Sequence, residues 1–266
     1  MLKRDDMRTP LFFLGTIFLC LLFFQNCTKE ETDSFERIMK SKNILIGTDA
    51  TYPPFESKDA ETGKLVGFDI DLMSAICEKI GVQPEYIVVP FDGIISGLKN
   101  EKYDVVISSF TITPGRGKEI DFSKPYYQAG QSIAVREDEE RINSIADLIG
   151  EKIGVQLGTT GELLAKTVKD ADIISYDNIG AAFIDLENRK LDAIINDKPT
   201  SERIIALRGK AKIVGPTLSS ENYGIAVKKG EKRLLEAVNN SLDALEISGK
   251  IEDLKKKWFL AKTRIQ

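Results

Sequence analysis

From Phe35 onward the chain alternates short β-rich runs with amphipathic stretches, and this alternation restricts the folds open to it more than any other feature. Ile44 to Gly47, Glu85 to Val89, Val105 to Ile107, Ile133 to Val135, Ile153 to Val155, Ile173 to Tyr176, Ala193 to Ile195 and Tyr223 to Val227 are expected strands. Helical patterns separate most of them. Asp69 to Ile80 closes on Gly81 as a C-terminal cap, Ile179 to Leu186 carries an apolar face, and Glu231 to Leu245 repeats Leu234, Val238, Leu242 and Leu245. Such alternation predicts α/β sheets with helices on both faces. Roughly 240 residues and about eight strands fit two small α/β lobes better than one large sheet. Two polar, extended stretches, Ser123 to Gly130 and Gly215 to Asn222, mark where the chain should cross and return. Lobe one is therefore expected from residues 35–127 plus 222–266, with 128–221 inserted as lobe two.

The first segment has a different composition. Lys3, Arg4 and Arg8 precede an apolar run from Leu11 to Phe24. That run is shorter than the roughly 20 residues a membrane-spanning helix needs, and it fits the core of an export signal. Cys27 follows directly, and the residues from Thr28 to Ser34 are polar and acidic. The layout resembles a bacterial lipoprotein signal, with 1–26 removed, Cys27 acylated and 27–34 acting as a tether. Phe24, Gln25 and Asn26 replace the small residues usual before the cysteine, and an uncleaved anchor is the alternative. Of the 3 cysteines, Cys20 lies in the signal, so only Cys77 remains in the folded body and no internal disulfide or cysteine metal site can form. Cys77 falls on an apolar stripe with Ile70, Met73, Ile76 and Ile80, as a core residue would.

Composition narrows the chemistry. The chain has no histidine, which removes imidazole general bases, His-containing triads and His-based metal sites together. With 41 acidic and 37 basic residues and no Lys/Arg block, nucleic acid is not an expected partner. No cofactor or metal is expected either.

Ligands of open α/β sheets bind at strand ends. After the strand at Val105 the run Ile107 to Tyr127 offers hydroxyls at Ser108, Ser109, Thr111 and Thr113, then Arg116. Thr113-Pro114 has the form of a helix cap followed by proline in the first turn. An arginine beside free backbone N–H groups suits a planar anion such as a carboxylate, and equally suits a surface ion pair. The turn Gly154 to Glu162 (GVQLGTTGE) lets backbone approach a ligand at Gly158 and Gly161, but lacks the lysine and spacing of a P-loop. At a third strand end Asp197 can cap a helix or accept from an ammonium group. The opening run Gly47 to Ser57 (GTDATYPPFES) holds Asp49 after a strand and Tyr52 in a proline-stiffened loop; Tyr52, like Phe91 after Pro90, can stack on a ligand or seal an edge.

Taken in order, GTDATYPPFES, GKLVGFDIDL, FDGIISGLKNEKYDVVISSFTITPGR, IDFSKPYY, IGVQLGTTGE, LDAIINDKP, NYGIAVKKG and the closing KKWF resemble the periplasmic polar-amino-acid-binding proteins of ABC importers, of the glutamine, histidine and lysine-arginine-ornithine type. The resemblance spans about residues 43–259. It implies a type II periplasmic-binding-protein fold, with two α/β lobes on a two-stranded hinge and the ligand cleft between them. By the same resemblance, Arg116 grips an α-carboxylate with help from the Thr111 backbone and the turn at Thr160. Asp197 takes the α-ammonium together with the Ser109 carbonyl and Thr111 hydroxyl. Tyr52 and Phe91 sandwich the side chain and Asp49 meets its polar end. Gln156 stands where the glutamine-binding member has lysine. Pro114-Gly115 and the large Phe110 depart from the pattern.

The implied protein is a monomeric, lipid-anchored binding protein of the periplasm or cell envelope. It captures a polar L-amino acid, Arg, Lys, His or Gln, and hands it to an inner-membrane ABC permease. The alternatives are a periplasmic cyclohexadienyl or arogenate dehydratase on the same fold, and a sensor for a separate signalling partner. The few residues from KKWF to Gln266 leave no room for a membrane-spanning output segment of its own, and the paired Arg116 and Asp197 argue for a ligand released unchanged.

Overall fold

The computed structural model describes residues 33–260. The export signal, Cys20, Cys27 and most of the tether lie outside them. The last two tether positions do not behave as a tether. The Asp33 carboxylate accepts the Phe35 N–H at 3.0 Å and caps a helix over Ser34–Ser41.

Five strands form the first sheet, in the order Gln83–Val88, Asn43–Thr48, Val105–Val106, Ala226–Lys228, Ile120–Phe122. The first three run parallel, and Ala226–Lys228 pairs antiparallel with both neighbours. Helix Phe68–Ile80 packs Leu72, Met73, Ile76 and Cys77 into the core beside the first sheet and against helix Lys232–Ile247. It stops where Gly81, at φ 81°, turns left-handed and returns its N–H to the Cys77 carbonyl.

A second five-stranded sheet repeats the plan in the order Asp172–Tyr176, Lys152–Gln156, Ala193–Asp197, Gln131–Arg136, Ala211–Val214, with the first three parallel and Gln131–Arg136 antiparallel to both its neighbours. Every residue of its central strand Ala193–Asp197 is buried, which is why that strand reads as an apolar run without alternation. Ile133, Val135, Ile153, Val155 and Ile195 form a separate core.

Two antiparallel strands, Tyr127–Ala129 and Glu221–Tyr223, form a ribbon of their own between the parts of the chain that supply the two sheets. The strand expected as one piece from Tyr223 to Val227 is therefore two. The chain leaves the ribbon at Tyr223, passes Gly224 and Ile225, and enters the first sheet at Ala226. Gly224 suits the crossing, because a Cβ there would sit 2.9 Å from Ile112. A small three-stranded sheet, Thr51–Tyr52, Glu56–Lys58 and Leu65–Val66, folds the GTDATYPPFES run back on itself through a cis Pro53–Pro54 bond. No helix among the described residues is long and apolar enough to cross a membrane.

Candidate functional site

The parallel strands of the two sheets end toward one another, and the residues at and after their ends line a pocket. Tyr52, Phe91, Ser108, Ser109, Thr111, Arg116, Gln156, Thr160 and Asp197 all line it, joined by Thr159. Asp49 does not. It sits behind Gln156, whose Nε2 donates to Asp49 Oδ2 at 2.7 Å.

Arg116 comes from a single 3-10 turn, Arg116–Lys118, two residues later than the Thr113-Pro114 cap predicts. Thr113 still caps it, its Oγ1 accepting the Arg116 N–H at 3.2 Å. The guanidinium is held on two sides by carbonyl oxygens, Nη1 donating to Thr111 at 2.8 Å and Nη2 to Gly158 at 3.0 Å. Its flat face lies 4.3 Å from the Phe110 ring centroid, with Phe91 at 5.4 Å. Phe110, the residue that looked oversized in the sequence, is thus the platform under the arginine. Burial lowers the guanidinium to about 10, so it remains a cation at neutral pH.

Asp197 ends the central buried strand of the second sheet and occupies the cap position of helix Lys198–Arg208, yet its side chain makes no capping bond. Instead Oδ1 accepts from Gln131 Nε2 at 3.1 Å. The Tyr52 hydroxyl lies 2.5 Å from both Asp197 Oδ2 and Asn196 Oδ1, one proton between two acceptors. Burial chiefly, and then the charge of Glu221, pushes the Asp197 carboxyl up to about 6.

Between these charges the strand end Ser108-Ser109 is bent. Ser109 adopts φ 48°, a left-handed conformation that costs a serine about 1–2 kcal/mol. Two buried acids hold it there. Asp69 Oδ2 accepts the Ser109 N–H at 2.7 Å, while Glu56 accepts the Ser108 hydroxyl at 2.9 Å and the Ser109 hydroxyl at 3.2 Å. Burial raises Asp69 to about 6, and burial and then Asp69 raise Glu56 well above the carboxylate range.

At the far end, Gln156 Oε1 is buried and has no hydrogen-bond partner among the described residues. Asp49 Oδ2 accepts from Thr51 at 2.9 Å as well as from Gln156, and burial raises this carboxyl too. A ligand tip rich in N–H donors would satisfy the Gln156 oxygen, with the Asp49 carboxylate behind that side chain.

The sequence reading missed Phe110 as a guanidinium platform, Gln131, the Glu56 and Asp69 pair, and Glu221. The last accepts from Thr111 and Thr160 hydroxyls at 2.8 Å each. Glu221 lies in a stretch that reads as a polar crossing, and nothing local marks it. Among the described residues no cluster of His, Cys, Asp or Glu could hold a metal ion.

With this geometry in hand, the similarities of the chain are informative. Residues 44–261 match the bacterial extracellular solute-binding proteins, family 3. The ABC transporter arginine-binding protein 1 of Escherichia coli (strain K12) is 35% identical over 228 residues, covering 82% of this chain and 91% of its own length. The histidine-binding periplasmic protein of Salmonella typhimurium is 34% identical over 229 residues, covering 82% and 88%. Among solved structures, an ancestral arginine-binding protein bound to arginine superposes with a TM-score of 0.80 at 44% identity, covering 82% of this chain and 98% of that one. An ancestral amino acid-binding protein described as a precursor of cyclohexadienyl dehydratase gives 0.80 at 39% identity, covering 85% and 99%.

Proposed function

Because the chain belongs to the bacterial extracellular solute-binding proteins, family 3, we propose that it captures a polar L-amino acid with a cationic, donor-bearing side chain, arginine foremost, for delivery to an ABC importer. The observation that carries this reading is the pairing of Arg116 and Asp197 in one pocket, approached from two different sheets. A zwitterion entering a dry cleft must exchange hydration for opposite charges and hydrogen bonds. Arg116 offers the α-carboxylate a fork of donors. Asp197, with the lone pairs of the Ser109 carbonyl and Thr111 hydroxyl, offers the α-ammonium acceptors. Gln156 Oε1, backed by Asp49, awaits the side-chain tip, and Tyr52 and Phe91 flank its stem. The arginine-binding relatives support the choice of arginine, and the histidine-binding relative supports histidine next.

The same proposal assigns lobe one to residues 35–127 plus 222–266 and lobe two to 128–221, with Tyr127–Ala129 and Glu221–Tyr223 as the hinge. One ligand gripped from both lobes favours the closed state over the open one. The chain acts as a monomer, exported and held in the cell envelope through a lipid on Cys27, and it releases its ligand unchanged.

A thermal-shift screen of residues 28–266 against the twenty amino acids tests the reading. A ligand at a hundred times its Kd stabilises the fold by about 2.7 kcal/mol, and arginine should give the largest shift. No shift with any of them overturns the proposal. The dehydratase-precursor neighbour makes a second assay worthwhile. Release of product from prephenate or arogenate would move the protein to the catalytic side of this fold.

A further inference from the structure

Glu221 is a buried carboxylate beside the pocket whose role the proposed grip on an amino acid does not use. It stands on the ribbon strand Glu221–Tyr223, and three hydroxyls converge on it. Oε2 accepts from Thr111 and from Thr160, each at 2.8 Å, and Oε1 accepts from Ser219 at 2.9 Å. Thr111 follows a strand of the first sheet and Thr160 begins helix Thr160–Ala165 beside the second. One carboxylate therefore ties both sides of the cleft to the ribbon. No Lys or Arg pairs with it among the described ion pairs, while its charge is felt by both Asp197 and Arg116.

A hydroxyl has one proton and two lone pairs. Thr111 gives its proton to Glu221, so toward the pocket it can present only lone pairs. Thr160 also gives its proton to Glu221, and it accepts from Gln131 Nε2 at 3.2 Å, which leaves its backbone N–H as the group free to meet an anion. Glu221 thus sorts the pocket into an acceptor side, with Asp197, Thr111 and the Ser109 carbonyl, and a donor side, with Arg116 and backbone N–H groups. Its negative charge, acting through a hydroxyl in a poorly hydrated place, strengthens Thr111 as an acceptor for a cation.

We propose that Glu221 is a positioning residue for ligand selectivity: through Thr111 it makes the pocket demand a free α-ammonium group. This rests on the amino-acid reading above. The ligand class follows from it: amino acids are accepted, and analogues that keep the α-carboxylate and side chain but lack the amino group are refused.

The test compares L-arginine with 5-guanidinopentanoic acid, which is arginine without its α-amino group, by titration calorimetry and by competition. Glu221→Gln removes the charge but keeps an oxygen for the threonine hydroxyls. Arginine should weaken about tenfold, while the desamino analogue binds equally or more tightly, so the preference for arginine shrinks about tenfold. Glu221→Asp, which keeps the charge, should restore part of it. If Glu221→Gln does not fold, Thr111→Val must show the same selective loss. Equal weakening of both probes would mean a purely structural role for the hinge carboxylate and would overturn the inference, as would an unchanged ratio. A wild-type chain that binds neither probe defeats the cationic-amino-acid reading and this inference together, whereas arginine binding with an unaltered ratio defeats the inference alone.

Discussion

Arg116 and Asp197 meet the ligand site in different electrostatic states. The arginine is already satisfied by two carbonyls and two aromatic rings, so it is a rigid cation waiting for an anion. Removing either partner strands an opposite charge of the bound zwitterion in a dry cleft, at a cost of about 3–5 kcal/mol. Arg116→Ala and Asp197→Ala should each weaken arginine binding at least about a hundredfold by calorimetry, and retention within about fivefold would remove that residue from the site. Asp197 adds a pH dependence. Its carboxyl is pushed up to about 6, above its ordinary 3.8, by burial first and then by Glu221, with Tyr52 and Gln131 as hydrogen-bond donors to it and Arg116 a cation that feels its charge. A raised value means that ionising the empty site costs stability. That acid's contribution to folding is fully present below about pH 4 and is lost as the pH rises through about 6. Binding has the opposite sign. A bound ammonium stabilises the carboxylate, so ligand uptake should expel a proton below about pH 6, and affinity should climb with pH to that point and then level off. Titrations near pH 5.5 in buffers of differing ionisation heat measure the proton directly. Asp197→Asn should abolish its release, and release that persists in this variant would assign the proton elsewhere.

At the scale of elements, the bend that builds the pocket floor depends on a close backbone approach beside the acids that hold it. Gly67 has φ +145°, and a Cβ there would lie 1.9 Å from the Phe55 carbonyl oxygen. The glycine lets helix Phe68–Ile80 start against the small sheet, which brings Asp69 and Glu56 together under Ser108 and Ser109. Gly67→Ala should therefore cost more than about 2 kcal/mol in chemical denaturation, since a backbone group cannot yield as a flexible side chain can. A loss below about 0.5 kcal/mol would show that the approach relaxes. The elements visible in the sequence were those with strong periodicity or a buried run, such as Phe68–Ile80 with its Gly81 cap and the strand Ala193–Asp197. The six-residue helices Ile94–Lys99, Thr160–Ala165 and Lys250–Lys255 were not, because each is too short to establish a 3.6-residue period. Tyr223 to Val227 was readable as extended but not as divided. Its division lies in which partners it pairs with, and a local pattern carries no information about partners. Glu221 was hidden for the same reason: the two hydroxyl partners that tie it to the cleft, Thr111 and Thr160, are 110 and 61 residues away along the chain.

For the whole molecule, the strand–helix alternation and the two polar crossings were legible because a buried sheet and an exposed linker have opposite compositions. The geometry of the cleft was not, since it depends on how two separately built sheets face each other. The bonds that span it now define its closed form. Gln156 reaches Asp49, Arg116 reaches Gly158, Tyr52 reaches Asp197, and Glu221 ties Thr111 to Thr160. Apart from the ribbon that holds Glu221, each of these contacts joins a residue beside the first sheet to a strand end or turn of the second. Opening about the ribbon breaks them as a group. A ligand can shift the balance only by its differential affinity for the two forms, and a zwitterion held by Arg116 on one side and Asp197 on the other has most of its affinity in the closed form alone. Small-angle X-ray scattering should show a smaller radius of gyration for the wild-type chain with saturating arginine than without it. Asp197→Asn should bind weakly and, at concentrations where binding is still incomplete, stay at the unliganded radius. If the wild-type radius does not change on saturation, the lobes are already closed before the ligand arrives. The cross-cleft hydrogen bonds would then outweigh ligand as the closing force, and Tyr52→Phe, which deletes one of them, should open the free chain measurably.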